Sequence, residues 1–441
     1  MSYSHEDIPT PENGYYVLVT GANSGLGLGI CTRMIDEFLQ TRPQTESLVL
    51  VITTRDKKKG DATIEILEAH LRQVCRQHER SLPGVTQLLQ GRIHFRQERL
   101  DLLSLVSVQR LSKKLLGTAP KLDVVICNAG IGGWTGINWP LAIWSILTKF
   151  KTAVTFPTYK LSGKGWFARP QLPAKDGKAQ DEPPLGEVFC ANFFGHYLLG
   201  HYLAPLLARH PKSEHTRGRI IWTSSLEAYA HTLNMDDLQG ILSEDAAYES
   251  SKRLTDVMGI TSRLPATSNA VDQYLDLPNE SNLTKPLIYV THPGITATAI
   301  FTLPLVLEYA MIAAFYIARW IGSQWHPLTL EKGAVAMVWL ALAKQSTLDT
   351  MEEKEGVGKW GSATDAWGQE RVERTEVAGW GWGGRLAEYK RKGRDPHAKD
   401  LTKEDRENFE VLGRRCWEEL EALRCEWEDR LRRAGVAVEM D

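Results

Sequence analysis

The 441-residue sequence has no Cys-x-x-Cys pair and no Cys/His spacing suited to a metal. Its six cysteines, Cys31, Cys75, Cys127, Cys190, Cys416 and Cys425, are scattered. That pattern excludes a disulfide-stapled scaffold or a zinc module and reads as small buried apolar residues in a reducing compartment. Charge of one sign is also missing: the net charge is −2 and the pI near 6.7, so nucleic acid is not an expected partner. No internal repeat or low-complexity tract is visible. The first thirteen residues are polar and acidic, so a secretory signal is not expected. What is present is a globular composition, 43% hydrophobic and 24% charged, long enough for roughly two to three domains.

The chain is organised around Thr20-Gly21-Ala22-Asn23-Ser24-Gly25-Leu26-Gly27. An apolar, β-rich run, Tyr15 to Val19, precedes it, and a helical stretch, Leu28 to Gln40, follows. Strand, glycine turn and helix together place a phosphate on backbone N–H groups at a helix N-terminus. The glycines let the chain turn tightly and let a pyrophosphate approach the backbone. Their spacing is Gly-x-x-x-Gly-x-Gly and not the ordinary dinucleotide fingerprint, so a glycine-rich turn without a ligand is the alternative.

Ser47 to Thr53 reads as a second buried strand ending in Thr53-Thr54-Arg55-Asp56, followed by three lysines. An acidic residue at such a tip favours NAD and an arginine accommodates the 2′-phosphate of NADP, so Thr54 and Arg55 point to NADP(H). The alternative is a solvated charge run at a helix start. Asp61 to Glu79 has helical periodicity, and Arg92 to Gln97 is a third strand. Asp101 beyond it either accepts from the adenine amino group or caps a helix. Leu122 to Cys127 is a fourth strand running into Asn128-Ala129-Gly130. Alternating strands and helices imply a doubly wound parallel sheet.

The glycine stretch plus Asn128-Ala129-Gly130 resembles the short-chain dehydrogenase/reductase family, in which the Asn-Ala-Gly segment braces the sheet beside the cofactor. The resemblance implies a Rossmann-like α/β fold and NADPH. It gives Asn192, in a long helix over 188–209, the role of holding a water in a proton relay. A fifth strand, Gly218 to Thr223, ends in Ser224-Ser225, and Ser225 matches the family serine that hydrogen-bonds the substrate carbonyl. Tyr248-Glu249-Ser250-Ser251-Lys252 matches Tyr-x-x-x-Lys; four apart on a helix, phenol and ammonium share a face. A nearby Lys⁺ stabilises phenolate and lowers the tyrosine pKa from its ordinary value of about 10. After a sixth strand, Pro286 to His292, the run Pro293-Gly294-Ile295-Thr296-Ala297-Thr298 resembles the family's Pro-Gly-x-x-x-Thr segment beside the nicotinamide. The resemblance thus assigns cofactor contacts to Pro293, Gly294, Ile295 and Thr298.

Ser225 and Tyr248 are 23 positions apart (248 − 225), a wider gap than is common in the family, so the intervening chain must loop out. The segments Ser224-Ser225-Leu226-Glu227-Ala228 and Tyr248 to Asp256 closely resemble the fungal sterol 3-keto reductases, as does Asn138-Trp139-Pro140-Leu141-Ala142-Ile143-Trp144. This implies reduction of the C-3 ketone of 4-methyl sterols during C-4 demethylation. It also implies a cytosol-facing enzyme, peripheral or monotopic, on the endoplasmic reticulum membrane or lipid droplets, working beside other enzymes of that pathway. A reductase of another lipid carbonyl, or a silent nucleotide-binding scaffold, are the rival readings.

Residues 132–186 form an aromatic-rich insertion, with Trp134, Trp139, Trp144, Trp166 and Phe167 among its rings. They are ordinary packing, an apolar wall for a flat substrate, or an edge dipping into a membrane. Phe301 to Ile321 has the length of a membrane span, but Glu308 and Arg319 and the core helix expected after it, Glu331 to Gln345, count against one. The expectation is a lid or interfacial helix resting on the membrane; a buried core helix is the alternative. The domain is expected to end at 347, and 348–441 reads as a Trp-rich extension with a charge-rich helix over 401–433.

Overall fold

Short Val/Ile/Leu-rich strands buried on both faces need helices above and below them, and that requirement shapes this molecule. The computed structural model describes residues 11, 13–81, 83–175, 178–210, 217–242, 246–277, 283–296, 304–386 and 391–438. In chain order the first half runs β1 (Gly14–Thr20), α1 (Gly25–Thr41), β2 (Ser47–Thr54), α2 (Lys57–Ser81), α3 (Thr86–Gly91), β3 (Ile93–Arg99), α4 (Leu105–Thr118), β4 (Val124–Cys127), β5 (Trp134–Ile137), α5 (Trp139–Thr155) and β6 (Lys160–Ser162). Then come α6 (Glu187–Phe189), α7 (Gly195–Leu207), β7 (Arg219–Thr223), α8 (Ala247–Thr261), α9 (Ser268–Tyr274), β8 (Leu287–His292) and α10 (Leu305–Trp320). The chain finishes with α11 (Leu330–Gly333), α12 (Val335–Leu342), α13 (Gln345–Glu355), β9 (Lys359–Thr364), β10 (Glu370–Thr375) and α14 (Lys403–Arg433).

The main sheet has the order β10-β9-β8-β7-β4-β1-β2-β3, parallel throughout except for β10. It is the Rossmann-like doubly wound arrangement. One core packs α1, α2 and α12 on one face; the other packs α4, α7, α8 and α14 on the opposite face. β5 and β6 form a separate antiparallel hairpin inside the insertion.

Several elements differ from the sequence expectation. The helix expected over 188–209 is α6 and α7 joined by one turn of π-helix, Cys190–Phe194, with Asn192 at its centre. The single helix expected over 331–345 is broken into α11 and α12 around Ala334. Among the described residues no helix is long and apolar enough to cross a membrane. Residues 348–441 are not one appended arm: β9 pairs in parallel with β8, and β10 closes that edge. Lys359-Trp-Gly-Ser-Ala-Thr364 is buried throughout yet carries no long apolar run, so composition alone hides it. The last helix packs on the domain itself. Gly413 leaves room for Thr261 of α8, the Trp417 Nε1 donates to Thr261 Oγ1 at 3.2 Å, and Phe409, Trp417 and Leu420 enter the α7–α8 core.

Candidate active site

β1 ends at Thr20, where the chain turns through Gly21 (φ 66°) and Gly25 (φ 53°) into α1. A Cβ on Gly27 would stand 2.2 Å from the Gly21 carbonyl oxygen, so only glycine lets this turn close. A Cβ on Gly25 would meet nothing within 4 Å, which leaves open space at the start of α1 for a phosphate. Across the turn, the Thr20 Oγ1 accepts from the backbone N–H of Asn128 (2.8 Å) and of Ala129 (3.0 Å), while Asn128 Nδ2 donates to the Thr20 carbonyl (3.0 Å). His196 completes the knot. Its Nδ1 lies 3.3 Å from the Asn192 carbonyl, which can only accept, so Nε2 is the bare nitrogen and accepts a hydrogen bond from the Thr20 hydroxyl at 2.8 Å. Burial drives this imidazole down to about 3 and keeps it neutral.

One cavity of about 820 Å³ runs along this edge of the sheet. Gly21, Asn23, Ser24, Gly25, Leu26, Gly27, Thr54, Arg55, Asp101, Asn128, Ala129, Gly130, Ser225, Tyr248, Lys252, Pro293, Gly294 and Ile295 all line it. Thr298 lies outside the described residues. Asn192 does not line the cavity: its Oδ1 accepts from the Ile131 N–H (2.7 Å), and its Nδ2 donates to the Ile131 carbonyl (3.0 Å) and Ser251 Oγ (3.2 Å). Its side chain braces the loop after β4 against α8. At the tip of β2, Arg55 and Lys59 reach the cavity, whereas the Asp56 carboxylate turns back to accept from the Lys58 N–H at 2.7 Å. Asp101 is not a helix cap. Ser104 takes that place, accepting from the Ser107 N–H at 3.3 Å, and Asp101 stays at the cavity wall.

β7 delivers the serine pair. The Ser224 hydroxyl is engaged with the Lys252 carbonyl at 3.2 Å. Ser225 accepts from the Glu227 N–H at 3.1 Å, and its hydroxyl lies close enough to the Tyr248 phenol to favour the phenolate. Lys252, buried one turn beyond Tyr248 on α8, donates to the Thr223 carbonyl at 2.8 Å, its Nζ 5.5 Å from the centre of the Tyr248 ring. Burial, and then the like charge of Lys359, push its ammonium down to about 8. The Tyr248 phenol departs from the sequence expectation. Burial and the Glu227 carboxylate push it above its ordinary value, and the nearby Ser225 hydroxyl only opposes them.

Other neighbours were invisible as motifs because distant segments supply them. From the insertion, Trp134 packs against Tyr248 with ring centroids 4.6 Å apart, and Lys160 lies 3.9 Å over Trp134. Lys160 also donates to both carboxylate oxygens of Glu227 at 2.7 Å. Beyond these groups the cavity turns apolar: Ile137, Trp139, Ala142 and Ile146 come from the insertion, and Leu307, Met311, Ala314 and Phe315 from α10. The outer surfaces of α5 and α10 are greasy too, with Trp144, Leu147 and Val306 exposed at 67%, 79% and 79%.

No family model matches the chain. It is 44% identical to the 3-keto-steroid reductase of Aspergillus fumigatus over 445 residues, 97% of either chain. Identity to the 3-keto-steroid reductase of Gibberella zeae is 39%, over 96% of either chain. The Schizosaccharomyces pombe 3-keto-steroid reductase is 31% identical, over 82% of this chain and 90% of its own. Among solved structures, salutaridine reductase from Papaver somniferum aligns over 75% of this chain and 96% of its own at 16% identity, with a TM-score of 0.41. The near-full-length likeness to the first two relatives establishes that this chain belongs to the 3-keto-steroid reductase family.

Proposed function

We propose that this protein uses NADPH to reduce the C-3 ketone of 4-methyl sterol intermediates to the 3β-alcohol in sterol (ergosterol) biosynthesis. One observation carries the reading: Ser225, Tyr248 and Lys252 stand where the polar, glycine-lined part of one cavity meets its apolar part. The polar part fits the cofactor, with open space at Gly25 for the pyrophosphate and Arg55 and Lys59 for a 2′-phosphate. Bound NADPH supplies the hydride to the carbonyl carbon. Ser225 donates to the carbonyl oxygen, and the Tyr248 phenolic proton passes to that oxygen as negative charge develops, leaving a phenolate. Lys252, still mainly cationic at neutral pH with a pKa of about 8, stabilises that phenolate and holds the nicotinamide ribose. Positioned proton transfer of this kind is worth ~10²–10⁴-fold.

The apolar part suits a flat, rigid hydrocarbon skeleton. Exposed Trp139, Trp144, Leu147, Leu305, Val306 and Trp320 on α5 and α10, the two helices that contribute its apolar wall, support a membrane surface as the source of substrate. We infer a cytosol-facing enzyme, peripheral or monotopic, on endoplasmic reticulum membranes or lipid droplets, beside other enzymes of sterol C-4 demethylation. The deciding experiment is NADPH oxidation with a 4-methyl sterol 3-ketone in detergent, comparing wild type with Tyr248→Phe, with NADH and a retinal-type aldehyde as controls. The expected result is NADPH-dependent turnover that collapses in Tyr248→Phe while NADPH still binds. NADPH binding without sterol-ketone turnover would sink the assignment. Turnover of the aldehyde alone would favour a reductase of another lipid carbonyl, and none with either would favour a silent scaffold.

A further inference from the structure

A second lysine stands behind the catalytic helix. Lys359, the first residue of β9, is 2% exposed and does not line the cavity. Its Nζ donates to the Ser225 carbonyl at 2.5 Å and to Asp256 Oδ2 at 2.7 Å. Asp256 is one helical turn beyond Lys252 on α8 and 1% exposed. The strand exit that carries the serine is therefore gripped at alternate carbonyls: Lys252 takes that of Thr223 and Lys359 that of Ser225.

Packing alone does not account for this arrangement. Desolvating two charges is costly, and apolar residues of similar volume in such a place are often neutral or stabilising. The pair does what an apolar replacement would not, since one of its donors is spent on the serine's own peptide. We propose that Lys359 is a positioning residue of the reductase site, fixing Ser225 through its carbonyl and holding a second cation behind Lys252. The groups facing Lys252 are Tyr248 and Asp256 from its own helix, Cys127 from β4, neutral His196 from α7 and Lys359 from β9. After burial, Lys359 is the largest influence holding Lys252 near 8, and Asp256 opposes it; burial lowers Lys359 itself as well, and its ion pair and hydrogen bond with Asp256 counter that. Lys252 can then exchange protons near neutral pH, as regeneration of the Tyr248 phenol requires.

Lys252 takes its role from the reductase reading above, but its ionisation is measurable without turnover. The pH dependence of its reductive methylation by formaldehyde, followed by peptide mass spectrometry, gives a midpoint at about 8 in wild type. In Lys359→Met the midpoint rises by about one pH unit, because a like charge is gone and Asp256 has lost its cation. Lys359→Arg keeps the charge and stays near the wild-type midpoint. Lys359→Met leaves a buried carboxylate unpaired and endangers the fold, so Lys359→Met/Asp256→Asn is the second variant. NADPH binding checks its integrity, and its midpoint also rises, by less. The pH profile of sterol-ketone reduction moves in parallel. A midpoint unmoved in either variant that still binds NADPH would overturn the role. A wild type that reduces no sterol ketone, with the midpoint shifts present, would remove the substrate assignment and leave the placement of Lys359 intact.

Discussion

Glu249 neighbours Tyr248 on α8, 5% exposed, with Oε1 3.4 Å from the Trp134 Nε1 donor and Oε2 without a partner among the described residues. Burial chiefly, and then the Glu227 carboxylate, push its carboxyl from 4.5 up to about 7. Between these values the folded protein holds a proton that the unfolded chain has released. The group costs nothing below 4.5, its penalty grows as pH rises through the window, and the full penalty persists above 7. The gap (7 − 4.5) at 1.36 kcal/mol per unit gives about 3 kcal/mol as the ceiling. Glu249→Gln keeps the shape and removes the charge. Its thermal midpoint should match that of wild type at about pH 4.5 and exceed it at about pH 8 by the equivalent of roughly 2–3 kcal/mol. Thermal scans of both proteins at the two pH values decide the matter. A difference that is the same at both, or a variant weaker at the higher pH, refutes the reasoning.

Three more outcomes follow from the geometry. Lys160→Met strips Glu227 of its partner and should cost about 3 kcal/mol of stability, most of it regained in Lys160→Met/Glu227→Gln; chemical denaturation measures both. Arg55→Ala with Lys59→Ala should weaken NADPH binding about tenfold and leave NADH binding nearly unchanged, read as dissociation constants by fluorescence titration. Leu147→Glu with Val306→Glu should abolish co-flotation with phospholipid vesicles while detergent-dispersed substrate is still turned over, and undiminished flotation would rule out this face as the membrane contact.

The parts of the site that were legible in the sequence are those that local spacing defines. The glycine turn shows because phosphate approach demands glycines at set intervals, and Tyr248 and Lys252 show because one helical turn aligns them. The strands β1, β2, β4, β7 and β8 were readable because burial on both faces demands apolar runs. What was hidden depends on distant segments meeting. Trp134 and Lys160 reach Tyr248 only because β5 and β6 pair, and a hairpin with a helix between its strands leaves no turn signal. The π-helical turn at Asn192 adds a residue to a helix without disturbing its apolar character, so periodicity passes over it. β9 escaped because a strand whose side chains are Lys, Trp, Ser, Ala and Thr is buried by ion pairing and close backbone packing more than by hydrophobicity. The raised Tyr248 phenol was missed for a different reason: the helix shows Lys252, while burial and Glu227 arise only in three dimensions.

The position of β9 also sets an order of manufacture. A nascent chain has made Tyr248 and Lys252 and can pair β7 with β8 long before residue 359 leaves the ribosome. Until β9 arrives, the carbonyl of Ser225 and the carboxylate of Asp256 have no cation between them, and the serine turn is unanchored. On the proposed role of Lys359, competence is expected to come late in synthesis, and a product ending before β9 should lose activity although it carries every motif residue, which an assay of that truncation checks.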